Sequence, residues 1–330
     1  MSLQTVKTGG AYTLADCGVF AALAVVLVLI STYVPLLGFA ASFVWAVPVI
    51  IVVLRRGVAA GALTSLVTLV LSLVFTGPIV GFISGLTVGA FGLVYGLCFR
   101  RGASPGKTLF IGSVASGLIT VIALGLSAVM TNLPISSMIQ GMEDTFRAVF
   151  DQYEKMGLLA QMLPAGTTAE AYVDSLVALF RRILPGALAL AAMAMAALNY
   201  IFAARILKKL KFAIKPLPPF RDWHFPWWIM WGMALVLLGY LMGKQLEGEY
   251  YLVIAQNILY IYLPLFLISG IAVMSYFFNF WRLTKGTQIV IWVLCALFIS
   301  FTLPFLVLMG AVDILLDYRK YTQKVKEKIK

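Results

Sequence analysis

An all-α, polytopic integral membrane protein is the fold class this sequence predicts, on three observations. The 330 residues are 62% hydrophobic and have a mean hydropathy of +0.98, well above a soluble domain of ordinary composition. The apolar residues fall in blocks of about 18 to 30, long enough as helices to cross a hydrocarbon core of roughly 30 Å. Lys and Arg gather in the short segments between those blocks, the pattern that orients membrane helices.

The candidate spans are 13–34, 38–54, 58–76, 78–99, 107–131, 183–207, 226–243, 251–280 and 288–316, which gives an expectation of eight or nine transmembrane helices. The first block lacks a small-residue cleavage site and a second apolar block follows at once, so it reads as a retained span and not as a cleaved signal. Arg55 and Arg56 follow the second span, and Arg100, Arg101 and Lys107 the fourth. Arg205, Lys208, Lys209, Lys211, Lys215 and Arg221 follow the sixth, and Arg282 and Lys285 the eighth. These loops, and with them the N-terminus, are expected on the cytoplasmic side. The net charge of +12 therefore reads as topology signals and lipid headgroup contact, with no nucleic acid as partner.

Residues 132–182 are then expected outside. They carry six acids (Glu143, Asp144, Asp151, Glu154, Glu170, Asp174) against four bases. Met138, Met142, Phe146, Val149, Phe150 and Tyr153 recur at helical spacing, as do Tyr172, Leu176, Leu179 and Ile183. Two amphipathic helices separated by "LPAGTT" are predicted, lying on the outer membrane surface or capping a cavity.

Nine crossings from an inside N-terminus would put the tail "YRKYTQKVKEKIK" outside, although it holds six Lys and Arg residues. An even number of crossings and a cytoplasmic tail resolve this: either one candidate does not cross, or a long one divides at a proline, with Pro264 and Pro304 as the places.

The fourth span, "GPIVGFISGLTVGAFGLVYG", is dense in glycine, which costs about 1 kcal/mol relative to alanine inside a helix. On a helical wheel Gly81, Gly85, Gly89, Gly92 and Gly96 fall within an arc of about 80°. In lipid no hydrophobic force draws helices together, and small residues at four-residue spacing let backbones approach. A tightly packed neighbour is the expectation, with a ligand-lined groove as the alternative. Ala11, Ala15, Gly18 and Ala22 form a second small-residue face on the first span, suited to packing within one subunit or to docking a partner.

Catalytic patterns are absent. Cys17, Cys98 and Cys295 are far apart and inside apolar blocks, so neither a metal cage nor a disulfide framework is suggested. The single histidine, His224 in "PPFRDWHFPWW", sits among interfacial aromatics, with no cluster of ligands at metal spacing. "GASPGKT" has three residues between Gly102 and Gly106 where a phosphate loop has four, and membrane helices flank it. No enzyme activity, cofactor or metal is expected. Polar groups at membrane depth are Asp16, Asn199, Gln256, Asn257 and Asp313; ionisable ones there are functional candidates by default. For Asp16 and Asp313 a position near a helix end beside a base is the alternative, and for Asn199 and Asn257 an interhelical hydrogen bond.

The stretches "RILPGALALAAMAMAALNYIFAARILKKL", "LPPFRDWHFPWWIMWG" and "ISGIAVMSYFFNF", and finally "LPFLVLMGAVDILLDYRK" with Gly310, Asp313, Asp317, Tyr318, Arg319 and Lys320, resemble the YybS-type family of bacterial membrane proteins. The N-terminal part, from "AALAVVLVLISTYVPLLGFAASFVWAVPVIIVVLRRGVAAGAL" through the glycine helix, is similar to the S-components of energy-coupling-factor transporters. That resemblance implies a six-helix core over 1–210 that binds a small molecule from the outer side and docks a membrane coupling subunit through an alanine-spaced first helix, matched here by Ala11 and Ala15. Membrane helices and a basic tail make up 211–330. Two departures stand out: the long insert at 132–182 and the roughly 120 residues after the sixth span.

The leading expectation is a bacterial inner-membrane protein that binds a small solute beneath the outer insert, with Met138–Tyr153 and Tyr172–Ile183 as cover and Trp45, Asn199 and the glycine stripe as wall. The rival is a structural or regulatory membrane partner of another protein that binds no solute.

Overall fold

A computed structural model describes residues 10–158, 167–215, 217–245 and 249–319. The structure is that of an all-α polytopic membrane protein. Seven of its described helices are long and apolar enough to cross a membrane. The chain divides into two compact units, Met1–Val173 with Leu188–Pro216, and Asp174–Ala187 with Leu217–Lys330.

The first unit is built from α1 (Gly10–Tyr33), α2 (Pro35–Ala41), α3 (Val47–Arg56), α4 (Val58–Thr76), α5 (Pro78–Arg100), α6 (Pro105–Thr131), α7 (Ile135–Lys155) and most of α8 (Ala169–Lys209). Gly57 and Gly77, at φ 101° and 84°, make the two tightest reversals, from α3 to α4 and from α4 to α5. A left-handed backbone suits only glycine there. At the heart lies α3, buried from Val47 through Val53. Val49 and Val53 pack with Ala24 and Val28 of α1 and Val88 of α5, and Trp45 and Leu93 close the cluster.

The glycine stripe of α5 faces α4 and α3. A Cβ on Gly81 would fall on the Ser72 carbonyl oxygen, one on Gly85 would lie 2.7 Å from the Leu69 Cα, and one on Gly89 3.0 Å from the Ser65 Cβ. On Gly92 and Gly96 it would meet Val49 and Val53 of α3. Across from the stripe, Thr64, Ser65 and Thr68 of α4 are buried; their hydroxyls donate back to Ala60, Gly61 and Thr64. Small side chains that satisfy themselves on their own helix let the two backbones close; the buried Ser72 hydroxyl of α4 makes no hydrogen bond.

The second unit holds α9 (Met230–Gln245), α10 (Glu249–Phe280), α11 (Lys285–Leu297) and α12 (Ile299–Leu316), with single 3-10 turns at Phe220–Asp222 and Trp227–Ile229. Gly270 of α10 lies against Leu306, and Gly310 of α12 against Phe266; further along α10, Phe277 stacks at 6.0 Å on Tyr318, just past the end of α12. Hence α12 runs parallel to α10, and α11 is the return between them.

Three expectations are corrected. Candidate 38–54 is not a continuous helix: α2 ends at Ala41, residues 42–46 turn, and α3 has ten residues, about 15 Å of rise. Pro48 takes the N2 position of α3, where its missing N–H costs nothing. Candidate 288–316 divides, but at Phe298 (φ −104°, ψ 39°) and not at a proline. Pro264 and Pro304 both lie inside continuous helices. At the break the Thr302 hydroxyl donates to the Cys295 carbonyl at 2.7 Å, replacing a bond of the interrupted ladder. The stretch 172–183 is no separate amphipathic helix; it forms part of the 41-residue α8 and continues into the sixth span. The first amphipathic helix does form, as α7. Most of "LPAGTT", the side chains of Ala11 and Met138, and the tail from Lys320 on lie outside the described residues.

Candidate functional site

Trp45 and Asn199 both belong to the first unit. Trp45 lies in the 42–46 turn between α2 and α3 and packs against the cluster that holds Val49 and Val88. Two residues earlier, Phe43 stacks on Phe202 of α8 at 5.5 Å. The Tyr95 hydroxyl donates to the Ala196 carbonyl at 2.7 Å, and Tyr200 meets Tyr95 edge-on at 6.0 Å. Asn199 stands on α8 between Ala196, whose carbonyl meets α5, and Phe202, on which Phe43 of the turn stacks. It is 1% exposed. Its Nδ2 donates to the Met195 carbonyl at 3.1 Å, while its Oδ1 accepts nothing, and the Trp45 indole N–H donates to nothing. One buried acceptor and one buried donor are thus unsatisfied, each at a cost of about 1–3 kcal/mol.

Asp16, Asp313 and Asn257 have protein partners. Asp16 accepts from Arg56 Nε at 2.7 Å, tying the start of α1 to the end of α3. In the second unit Asp313 is 2% exposed and Arg319 5%. The Arg319 Nη2 lies 2.6 Å from the Asp313 carboxylate, with Nε also donating to it, and Arg319 Nη1 donates to the Arg221 carbonyl at 2.9 Å. Burial, with the Asp313 carboxylate near, pushes the Tyr318 phenol up to about 12, against the opposing effect of the Arg319 cation.

Asn257 repairs a helix. Pro185 stands inside α8, and next to it the amide of Gly186 donates to Asn257 Oδ1 at 2.6 Å while Asn257 Nδ2 donates to the Arg182 carbonyl at 2.8 Å. The carboxamide occupies the place of the 186-to-182 ladder bond. A Cβ on Gly186 would sit 2.8 Å from Asn257 Oδ1, so glycine is what allows the insertion. Gln256, beside it, keeps a buried Oε1 that accepts nothing.

On α1, Ala15, Gly18 and Ala22 are exposed, alongside Leu14, Val19, Leu23 and Val26; the opposite face, with Cys17, Ala21, Ala24, Val25 and Val28, is buried. His224 is exposed. Among the described residues no three of His, Cys, Asp and Glu come together as metal ligands. Sequence reading missed Arg56 and Arg319 as partners of the intramembrane acids and Gly186 as the partner of Asn257. Composition offers no signal for the last; for Arg319, its place six residues past Asp313 was one.

Neither the curated proteins nor the solved structures contain a match to the chain. The family model described as predicted membrane protein (DUF2232) matches residues 22–314, from the middle of α1 to the last turn of α12. With both units inside that match, the chain belongs to the predicted membrane protein family DUF2232.

Proposed function

We propose that the protein is a small-solute-binding component of a bacterial cytoplasmic membrane, with its site in the first unit between the 42–46 turn, α5 and α8. The observation that carries this reading is the pair of unsatisfied buried groups, the Trp45 indole N–H and the Asn199 Oδ1. A solute carrying both an acceptor and a donor would recover what they forgo. The similarity of the N-terminal part to S-components of energy-coupling-factor transporters supports the same reading, and a membrane coupling subunit is its natural partner. In this reading the N-terminus and the basic loops face the cytoplasm and 132–182 lies outside. Arg319, whose backbone accepts from the Tyr276 hydroxyl at 3.5 Å, lies at the end of α10 that leads to Arg282 and Lys285, which supports an even number of crossings and a cytoplasmic tail. No enzymatic step is part of the proposal.

The test is extraction from the native membrane followed by mass spectrometry of retained small molecules. Wild type should release a metabolite that Asn199→Leu and Trp45→Phe have lost, while both variants gain thermal stability, as sites that keep unsatisfied groups for a ligand do when those groups are removed. Absence of any retained metabolite from wild type overturns it.

One observation favours a second reading, a non-transporting structural or regulatory partner: the exposed small-residue face Ala15, Gly18 and Ala22 is shaped for close approach of another membrane helix. Gly18→Leu would then abolish copurification of a membrane protein without affecting insertion, and unchanged recovery counts against it.

A further inference from the structure

A cleft of about 380 Å³ in the second unit is lined by Pro219, Phe220 and Arg221, by Ser275 and Asn279 near the end of α10, and by Gln288 in the first turn of α11. Its hydrogen-bonding capacity is mostly that of donors. The Arg221 guanidinium is half exposed and has Asp222 at 4.0 Å, also half exposed, a separation and exposure at which the pair is worth little. Gln288 spends one Nε2 hydrogen on the Leu283 carbonyl at 3.0 Å, which leaves the other. Asn279 is exposed and its amide adds two more donors. Ser275 gives its proton to the Ile271 carbonyl at 2.8 Å.

The cationic wall is anchored. Arg319 holds the Arg221 carbonyl at 2.9 Å, and buried Asp313 in turn holds Arg319 at 2.6 Å. The Asp313–Arg319 pair is neutral as a whole, so the charge turned to the cleft is that of Arg221, with Lys285 and Arg282 close along the chain. The surroundings set the depth. Phe220 meets Trp223 in a tilted contact at 5.2 Å, Phe277 meets Trp281 likewise at 5.1 Å, and Trp227, Trp228, Trp231 and Trp281 are all more than half exposed. Exposed indoles beside apolar helices mark the membrane–water interface, the level at which lipid phosphates lie and where basic pockets between helices take anionic headgroups.

From this we infer that the cleft binds a phosphate group at the membrane surface, bidentate on the Arg221 guanidinium and hydrogen-bonded by Asn279 and Gln288. The phosphate comes from the headgroup of an anionic phospholipid or from free inorganic phosphate. This site is independent of Trp45 and Asn199, and loss of either reading leaves the other intact.

The full-length protein in neutral detergent is titrated with phosphatidylglycerol and with phosphatidylcholine, and bound lipid is counted by native mass spectrometry; inorganic phosphate is followed by phosphorus NMR line broadening. Phosphatidylglycerol should bind more tightly than phosphatidylcholine. Arg221→Ala, which keeps the backbone carbonyl that Arg319 holds, should weaken it about tenfold, whereas Lys285→Ala, the same loss of charge outside the cleft, should weaken it less than about threefold. Broadening of phosphate that vanishes in Arg221→Ala, without a lipid preference, assigns the same site to the free anion. Equal losses in Arg221→Ala and Lys285→Ala overturn the site, as does indifference to headgroup together with no Arg221-dependent phosphate binding. If Arg221→Ala fails to fold, Asn279→Ala at an exposed position serves in its place, and unchanged binding in that variant overturns the proposal.

Discussion

The α4–α5 contact of the first unit and the α10–α12 contact of the second both bring helix backbones close, by different means. Along α5 the approach is spread over five glycines, three against α4 and two against α3, with hydroxyls on α4 that bond within their own helix. Between α10 and α12 it rests on Gly270 and Gly310, each of whose missing Cβ atoms would strike a carbonyl of the other helix, while the buried Asp313–Arg319 pair beyond them ties α12 to the segment that follows it. A distributed contact tolerates a local change because neighbouring positions keep the register. A contact concentrated in two glycines does not, since backbone cannot move aside as a side chain can, and the ion pair that secures the end of α12 holds a buried charge that cannot lose its partner cheaply.

The largest effect should come from Asp313→Ala. It leaves the Arg319 guanidinium buried without its carboxylate, and a loss of about 3–5 kcal/mol is expected, read as a fall in the unfolding midpoint in detergent. Replacing both members, Asp313→Leu with Arg319→Met, should restore most of it; a double variant as unstable as the single would show that the pair does more than neutralise itself. Next is Gly310→Leu, expected to cost about 3 kcal/mol by forcing α12 off the Phe266 carbonyl, measured in the same way. Asn257→Leu should follow at about 2 kcal/mol, because the Gly186 amide and the Arg182 carbonyl lose their partners; faster hydrogen exchange at Gly186 would locate the damage.

The smallest effect is predicted at Gly89→Ala, where the nearest atoms to the new methyl are those of Ser65, its Cβ at 3.0 Å and its Oγ at 3.4 Å. The better helix preference of alanine, about 1 kcal/mol, offsets that crowding, and the midpoint should stay within about 1 kcal/mol of wild type. A drop at Gly89 as large as at Gly310 would erase the contrast between the two contacts.

Much of this was readable along the chain. The spans 58–76, 78–99 and 107–131 correspond to α4, α5 and α6 with ends displaced by at most two residues, since each is bounded by glycine, proline or a basic pair. The glycine stripe announced a close neighbour, though not which helix. What hydropathy could not separate is an apolar stretch that crosses lipid from one enclosed by protein: the run Val47–Leu54 of α3 holds no polar side chain, yet α3 is buried among α1, α4 and α5. The break at Phe298 was hidden for a related reason. No proline or glycine marks it, and it persists because the Thr302 hydroxyl takes over the Cys295 carbonyl. Asn199 was visible as a polar group at membrane depth and Trp45 as a candidate wall residue; that both stay unsatisfied while Asn257 is fully engaged depends on neighbours far away in the chain.

Composition and periodicity were enough to make this an all-α polytopic membrane protein, because a 30 Å apolar slab demands helices of known length and leaves backbone groups no other way to be satisfied. The partners of its few polar side chains were decided by tertiary structure alone. In hydrocarbon each buried donor or acceptor must find a specific counterpart, and whether Arg319 reaches Asp313, or the Asn257 carboxamide enters the α8 ladder, follows from where helices distant in sequence are packed together.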